Sequence, residues 1–205
     1  MRIICFGDSL TAGFQAPTRE NPSGHATPYG AWVQEFIGSA GEVLTSGVCG
    51  EVTGEMLLRF RRDVLVHRPR IVVILGGTND LGWNARPDAI MHNLVKLYEQ
   101  TLAAGGVPVP VTVPSIRVED SGGNPDAEAW IADHLARRAQ LNGLIQEYAL
   151  AKSLAWVDLF GATADPDSRQ LADRYSNDGL HLSTAGYRVL AELVYRDAIS
   201  HVLAG

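Results

Sequence analysis

The chain has 205 residues, enough for one α/β domain with a full core, and its 46% hydrophobic and 20% charged residues are ordinary for a globular protein rather than a disordered one. A net charge of −6 without an overriding basic cluster argues against a nucleic-acid partner, and no apolar run approaches the ~20 residues that span a bilayer, which argues against stable membrane insertion. Two cysteines, Cys5 and Cys49, make no disulfide framework and are expected as buried free thiols. Met1-Arg2-Ile3 runs straight into an apolar segment with no leader pattern, which points to the cytoplasm, although a secreted chain trimmed of its leader would read the same way.

In chain order, residues 2–6 form a short apolar, partly β-branched strand that stops at Gly7 and delivers Ser9 into the turn Gly7-Asp8-Ser9-Leu10. Taken alone, that turn is equally well an ordinary helix start capped by Asp8 or Ser9. Residues 14–28 are polar and proline-rich, a long loop expected to rim a site. A helix over 29–37 and a strand over 42–45 lead to the Gly-rich loop 46–54, which lacks both the lysine of a phosphate-binding loop and the spacing of a dinucleotide fold. A helix over 55–66 follows. Its Arg59, Arg61 and Arg62, interleaved with Glu55 and Asp63, are expected on a solvated face.

Residues 70–75 have the composition of a central parallel strand buried on both faces, and they end at Gly76-Gly77-Thr78-Asn79-Asp80. A helix over 87–104 places Ile90, Leu94, Leu97 and Leu102 on or near one face. A fourth strand over 107–113 contains Pro108 and Pro110, which suggests an edge or an irregular strand. A loop over 114–125, a helix over 127–152 with a break at Gly143, a fifth strand over 154–158 and a polar segment over 166–177 follow. Asp178-Gly179-Leu180-His181 then precedes a closing helix over 184–202. Alternating strands and helices predict a single three-layer α/β/α domain over residues 1–205, with a mostly five-stranded parallel sheet whose strand-end loops share one edge.

Four of those loops carry complementary chemistry. Ser9 is a hydroxyl nucleophile that needs a base. Of six histidines, His181 has an acidic partner three residues earlier in a loop, Asp178, so one turn brings carboxylate to imidazole. On that fragment alone, Asp178 as a helix cap and His181 as its solvated first turn fit better. The backbone amides of Ser9 and Gly50 and the side-chain amide of Asn79 could converge on an oxyanion, where losing one donor typically costs ~2.7–4 kcal/mol of barrier.

These blocks resemble the SGNH (GDSL) hydrolases over essentially the whole chain. Gly7-Asp8-Ser9-Leu10 looks like the first block, with Ser9 at the nucleophile position. Gly47-Val48-Cys49-Gly50-Glu51 resembles the second, with Gly50 at the oxyanion glycine. Gly76-Gly77-Thr78-Asn79-Asp80 is similar to the third, with Asn79 at the oxyanion asparagine. Asp178-Gly179-Leu180-His181 resembles the last, and Gly186 fits the small residue that often follows. Ser46 departs from the family, in which many members carry Asn, and this puts a supporting hydrogen bond in question.

The resemblance implies a flavodoxin-like sheet and hydrolysis of esters, sometimes thioesters, through an acyl-enzyme, with no metal or organic cofactor. The absence of a Gly-x-Ser-x-Gly elbow and of a Cys/His cluster disfavours the usual α/β-hydrolase and zinc readings. The expected substrates are small-molecule or lipid esters, with short-to-medium acyl esters or lysophospholipids ahead of carbohydrate or other small acetyl esters. A domain that kept the fold and lost turnover is the alternative of another class. Asp8, Phe14 and Trp83 are expected to contact substrate, with Trp130 as a further apolar wall, whereas Trp32 and Trp156 fit core packing.

Overall fold

The computed structural model describes residues 1–118 and 125–204. Four parallel strands form the sheet: β1 (Arg2–Gly7), β4 (Glu42–Gly47), β5 (Ile71–Leu75) and β6 (Val107–Pro110), in the order β4-β1-β5-β6. β1 is central. Its Ile3, Ile4, Cys5 and Phe6 are fully buried, as are all five residues of β5, the continuous apolar pattern that a doubly covered parallel sheet requires. Two short strands, β2 (Phe14–Gln15) and β3 (His25–Ala26), pair as a hairpin inside the first long loop.

The helices are α1 (Ser9–Ala12), α2 (Tyr29–Ile37), α3 (Thr53–Asp63), α4 (Thr78–Gly82), α5 (Pro87–Ala103), α6 (Pro125–Ala151), α7 (Leu159–Thr163), α8 (Thr184–Val194) and α9 (Ser200–Ala204). α2 packs on α8, while α3 packs on α5 and α5 on α6, giving a helical layer on each side of the sheet. Connections from β1 to β4 and from β4 to β5 run to opposite sides of β1. Ser9 and Asn79, at the ends of β1 and β5, therefore flank the crevice where such sheets bind ligands.

The fifth strand is a correction. Residues 154–158 make only an isolated parallel bridge, Val111 with Val157, closed by Val157 N–H donating to Pro110 O at 2.9 Å and Thr112 N–H donating to Val157 O at 3.0 Å. The cause lies in the prolines. Val107 and Val111 donate toward β5, so positions 108 and 110 face the fifth segment, and proline has no N–H to give it. Other expectations shift in detail. α6 runs through Gly143 without a break, and the closing helix ends at Val194, with a π turn over Tyr195–Ile199 before α9. Leu102 is exposed, because Thr101 rather than Leu102 continues the buried face of Ile90, Leu94 and Leu97. Cys5 is buried as expected, but Cys49 lies beyond the end of β4 and is exposed; both are free thiols. The loop expected over 114–125 lies partly outside the described residues. Among the described residues, no helix is long and apolar enough to cross a membrane.

Candidate active site

Ser9 is the first residue of α1, a four-residue helix that starts immediately after β1. Asp8 caps it: its Oδ1 accepts from the Leu10 amide at 2.9 Å, and its carbonyl accepts from Thr11 and Ala12. Such a tight start needs room. At Gly47, at the end of β4, a Cβ would stand 2.2 Å from the Ala12 nitrogen, so only glycine lets α1 lie against that strand. Asp8 and Ser9 both sit at the end of the central strand. Asp8 is fully buried and Ser9 is 5% exposed, so Asp8 is not the substrate-contacting wall expected from the sequence but the support beneath Ser9. Burial pushes the Asp8 carboxyl up to about 7, against the downward pull of the Leu10 amide and of the His181 and Arg138 charges.

Gly50 lies in the loop after β4 at φ +79°, a conformation that favours glycine, and it is exposed. That loop is tied down at both ends. Val48 N–H donates to Gly7 O at 3.1 Å, and the Glu51 carboxylate accepts from Arg59 Nε at 2.7 and 2.8 Å. Arg59 also donates to Gly7 O at 2.8 Å and to Ser46 Oγ at 2.6 Å, and it stacks 4.2 Å over the Phe6 ring. Arg59 is therefore buried and binds the end of β1 to the second loop, which corrects its expected place on a solvated face. Ser46 makes a hydrogen bond of its own here.

Asn79 opens α4. Its Nδ2 donates to Glu51 O at 2.9 Å and lies 3.5 Å from Asp8 Oδ2. The amide group thus spans the loops after β1, β4 and β5, and its second hydrogen makes only the long Asp8 contact.

Asp178 and His181 form the pair their spacing suggested. Asp178 Oδ2 meets His181 Nδ1 at 2.8 Å, while Oδ1 accepts from the amides of Leu180 (2.9 Å) and His181 (2.7 Å). Burial works to raise the Asp178 carboxyl, but the His181 imidazole and those two amides outweigh it and hold it well below the usual carboxylate range. Helix capping is not its role, because Ser183 caps α8. The Phe14 ring packs edge-on against His181 with centroids 4.6 Å apart, and Tyr187 Oη donates to Phe14 O at 2.7 Å. Among the described residues, no hydrogen bond joins Ser9 Oγ to His181.

A cleft of ≈ 470 Å³ opens beside Asn79 and Asp178, with Trp83, Trp130 and Leu180 on its walls and Arg138 and His134 within it. A second cleft of ≈ 550 Å³ lies on the Gly50 side, with Glu55 and Asp80 in its lining. Trp83, 80% exposed, lines both. Sequence reasoning missed Arg59, Arg138 and His134, yet helical phase marks them. Arg59 shares the face of Met56 and Phe60, and His134 and Arg138 share that of Leu141 and Ile145.

Residues 5–189 match the GDSL-like Lipase/Acylhydrolase family. The chain belongs to this family. As a member it is a carboxylic ester hydrolase, and its parallel sheet is the fold of the GDSL hydrolases. It is similar to an arylesterase of Vibrio mimicus, 23% identical over an alignment of 210 positions that covers 98% of this chain and 90% of that protein. The crystal structure of a carbohydrate acetylesterase from Sinorhizobium meliloti superposes with a TM-score of 0.74 at 21% identity, covering 98% of this chain and 99% of that one. An uncharacterized lipoprotein of Bacillus subtilis (strain 168) is 30% identical over an alignment of 119 positions that covers 54% of this chain. The match takes in 47% of that protein, so the chain spans about half the length of this relative.

Proposed function

We propose that this GDSL-family hydrolase works as a serine esterase through an acyl-enzyme, with Ser9 as nucleophile, His181 as general base and acid, and Asp178 as its orienting carboxylate. The observation that carries the reading is the 2.8 Å contact between Asp178 Oδ2 and His181 Nδ1, which commits that ring nitrogen to the carboxylate and leaves Nε2 for the proton of Ser9. His181 Nε2 takes that proton as Ser9 Oγ attacks the acyl carbonyl, then returns it to the leaving alcohol. Water enters by the reverse route to free the acid. The backbone amides of Ser9 and Gly50 and the Asn79 amide hold the oxyanion. Anchoring of Asn79 on the Glu51 carbonyl supports its part, because a fixed donor stabilises charge without reorganising.

Short-to-medium acyl esters, small-molecule or lipid, fit the apolar walls of the cleft. A second reading, an acetylesterase acting on a carbohydrate, is favoured by Trp83 and Trp130, which stand 80% and 48% exposed as flat stacking surfaces, and by the similarity to the Sinorhizobium enzyme. The two free thiols favour a reducing compartment. Hydrolysis of p-nitrophenyl esters from acetate to long acyl, for wild type beside Ser9→Ala, tests the reading. The variant should lose at least about a thousandfold in kcat. A rate maximum at acetate would select the acetylesterase, and full turnover by Ser9→Ala would remove Ser9 from the mechanism.

A further inference from the structure

The ≈ 470 Å³ cleft holds a cation that the proposed mechanism does not use. Arg138 projects from α6 into its lining and is 1% exposed. Its hydrogen bonds run to Pro114 O at 2.6 Å and, at the limit, to Thr78 Oγ1 at 3.5 Å, and its buried Nε has no partner. Among the described residues, no carboxylate comes within ion-pair distance of it. The carboxylate whose charge it feels, Asp8, is fully buried, and burial holds it up to about 7. A buried guanidinium without an anion is costly unless a ligand supplies one.

Among the described residues, the neighbouring carboxylates have other partners. Asp133 is taken by Arg137, Asp173 by Arg117 and Asp178 by His181. Burial, with the charges of Arg138 and Arg137, pushes His134 down to about 4, so it adds no charge near neutrality. Across Trp83, the Gly50-side cleft carries Glu55 and Asp80 instead. One side of Asn79 is therefore positive at its floor and the other is acidic.

We infer that the Arg138 cleft is a subsite for an anionic group on the substrate, so that this hydrolase prefers esters in which one half carries a carboxylate or phosphate. The inference rests on the esterase reading above. The planar guanidinium suits such a group, the tryptophans cover the chain that links it to the ester, and the acidic cleft repels it from the opposite orientation.

Two matched substrate pairs test it. In one, the acyl half differs (mono-p-nitrophenyl adipate against p-nitrophenyl hexanoate). In the other, the alcohol half differs (4-acetoxybenzoate against its methyl ester). Wild type should favour the anionic member of one pair in kcat/KM by roughly tenfold. Arg138→Met should lose that ratio and Arg138→Lys should keep part of it. Each ratio comes from a single preparation, so loss of folded protein cancels, and the wild-type ratios decide the matter if Arg138→Met does not fold. Turnover of the neutral esters with no anionic preference in either pair, or a preference that survives in Arg138→Met, overturns the subsite alone. No turnover of any ester overturns the esterase reading and the subsite with it.

Discussion

At the scale of single residues, Asp8 shows how position changes meaning. Its place beside Ser9 suggested substrate contact, yet the carboxyl is sealed under α1 and accepts from the Leu10 amide. Its folded value of about 7 lies well above the ordinary carboxylate value. Between about pH 4 and 7 the folded chain therefore holds a proton that the unfolded chain releases, and the stability this contributes is present below that window and lost as pH rises through 7. Asp8→Asn keeps the acceptor for Leu10 and cannot ionise. The variant should gain stability over wild type at pH 8 relative to their difference at pH 5, read as urea midpoints; an equal difference at both pH values would contradict the shift. Ser9, Gly50 and Asn79 stand out in the sequence because each lies in a polar stretch just after a strand, and Asp178 and His181 because three residues separate a carboxylate from an imidazole. Arg59 and Arg138 do not. Charge weighed against burial when their stretches were read, and only the helical phase they share with Met56 or Leu141 places them inside.

Elements set the geometry of the site through close approaches. Strands β1 and β5 were readable from unbroken apolar runs, and α5 from its spacing and its start at Pro87. The short helices α1, α4 and α7 were not, since four or five residues hold too little periodicity. Residues 154–158 look like a strand by composition, and the absence of partners at Pro108 and Pro110 reduces them to a bridge, a property of the neighbouring segment rather than of their own sequence. The contact of β4 with α1 depends on Gly47, where an added Cβ meets backbone rather than a movable side chain. Gly47→Ala should displace α1, lowering stability by about 1–3 kcal/mol and esterase kcat more than KM. An unchanged kcat with unchanged stability would show that α1 has slack there.

Across the whole molecule, one edge of a parallel sheet gathers a hydroxyl, an imidazole–carboxylate pair and an anchored amide from segments as distant in sequence as Ser9 and His181. Topology does this work. The chain passes from β1 out to β4 on one side and then crosses to β5 on the other, so the loops after β1 and β5 flank the crevice, and the two clefts lined by Trp83 extend from it. This arrangement should activate Ser9 through His181. Its most direct test is intact-mass measurement after brief exposure to a fluorophosphonate, for wild type, Ser9→Ala and His181→Ala. A single adduct is expected on wild type, mapped to Ser9, with none on Ser9→Ala and labelling slowed by orders of magnitude in His181→Ala. An unlabelled wild type, or equal labelling of wild type and His181→Ala, would contradict it.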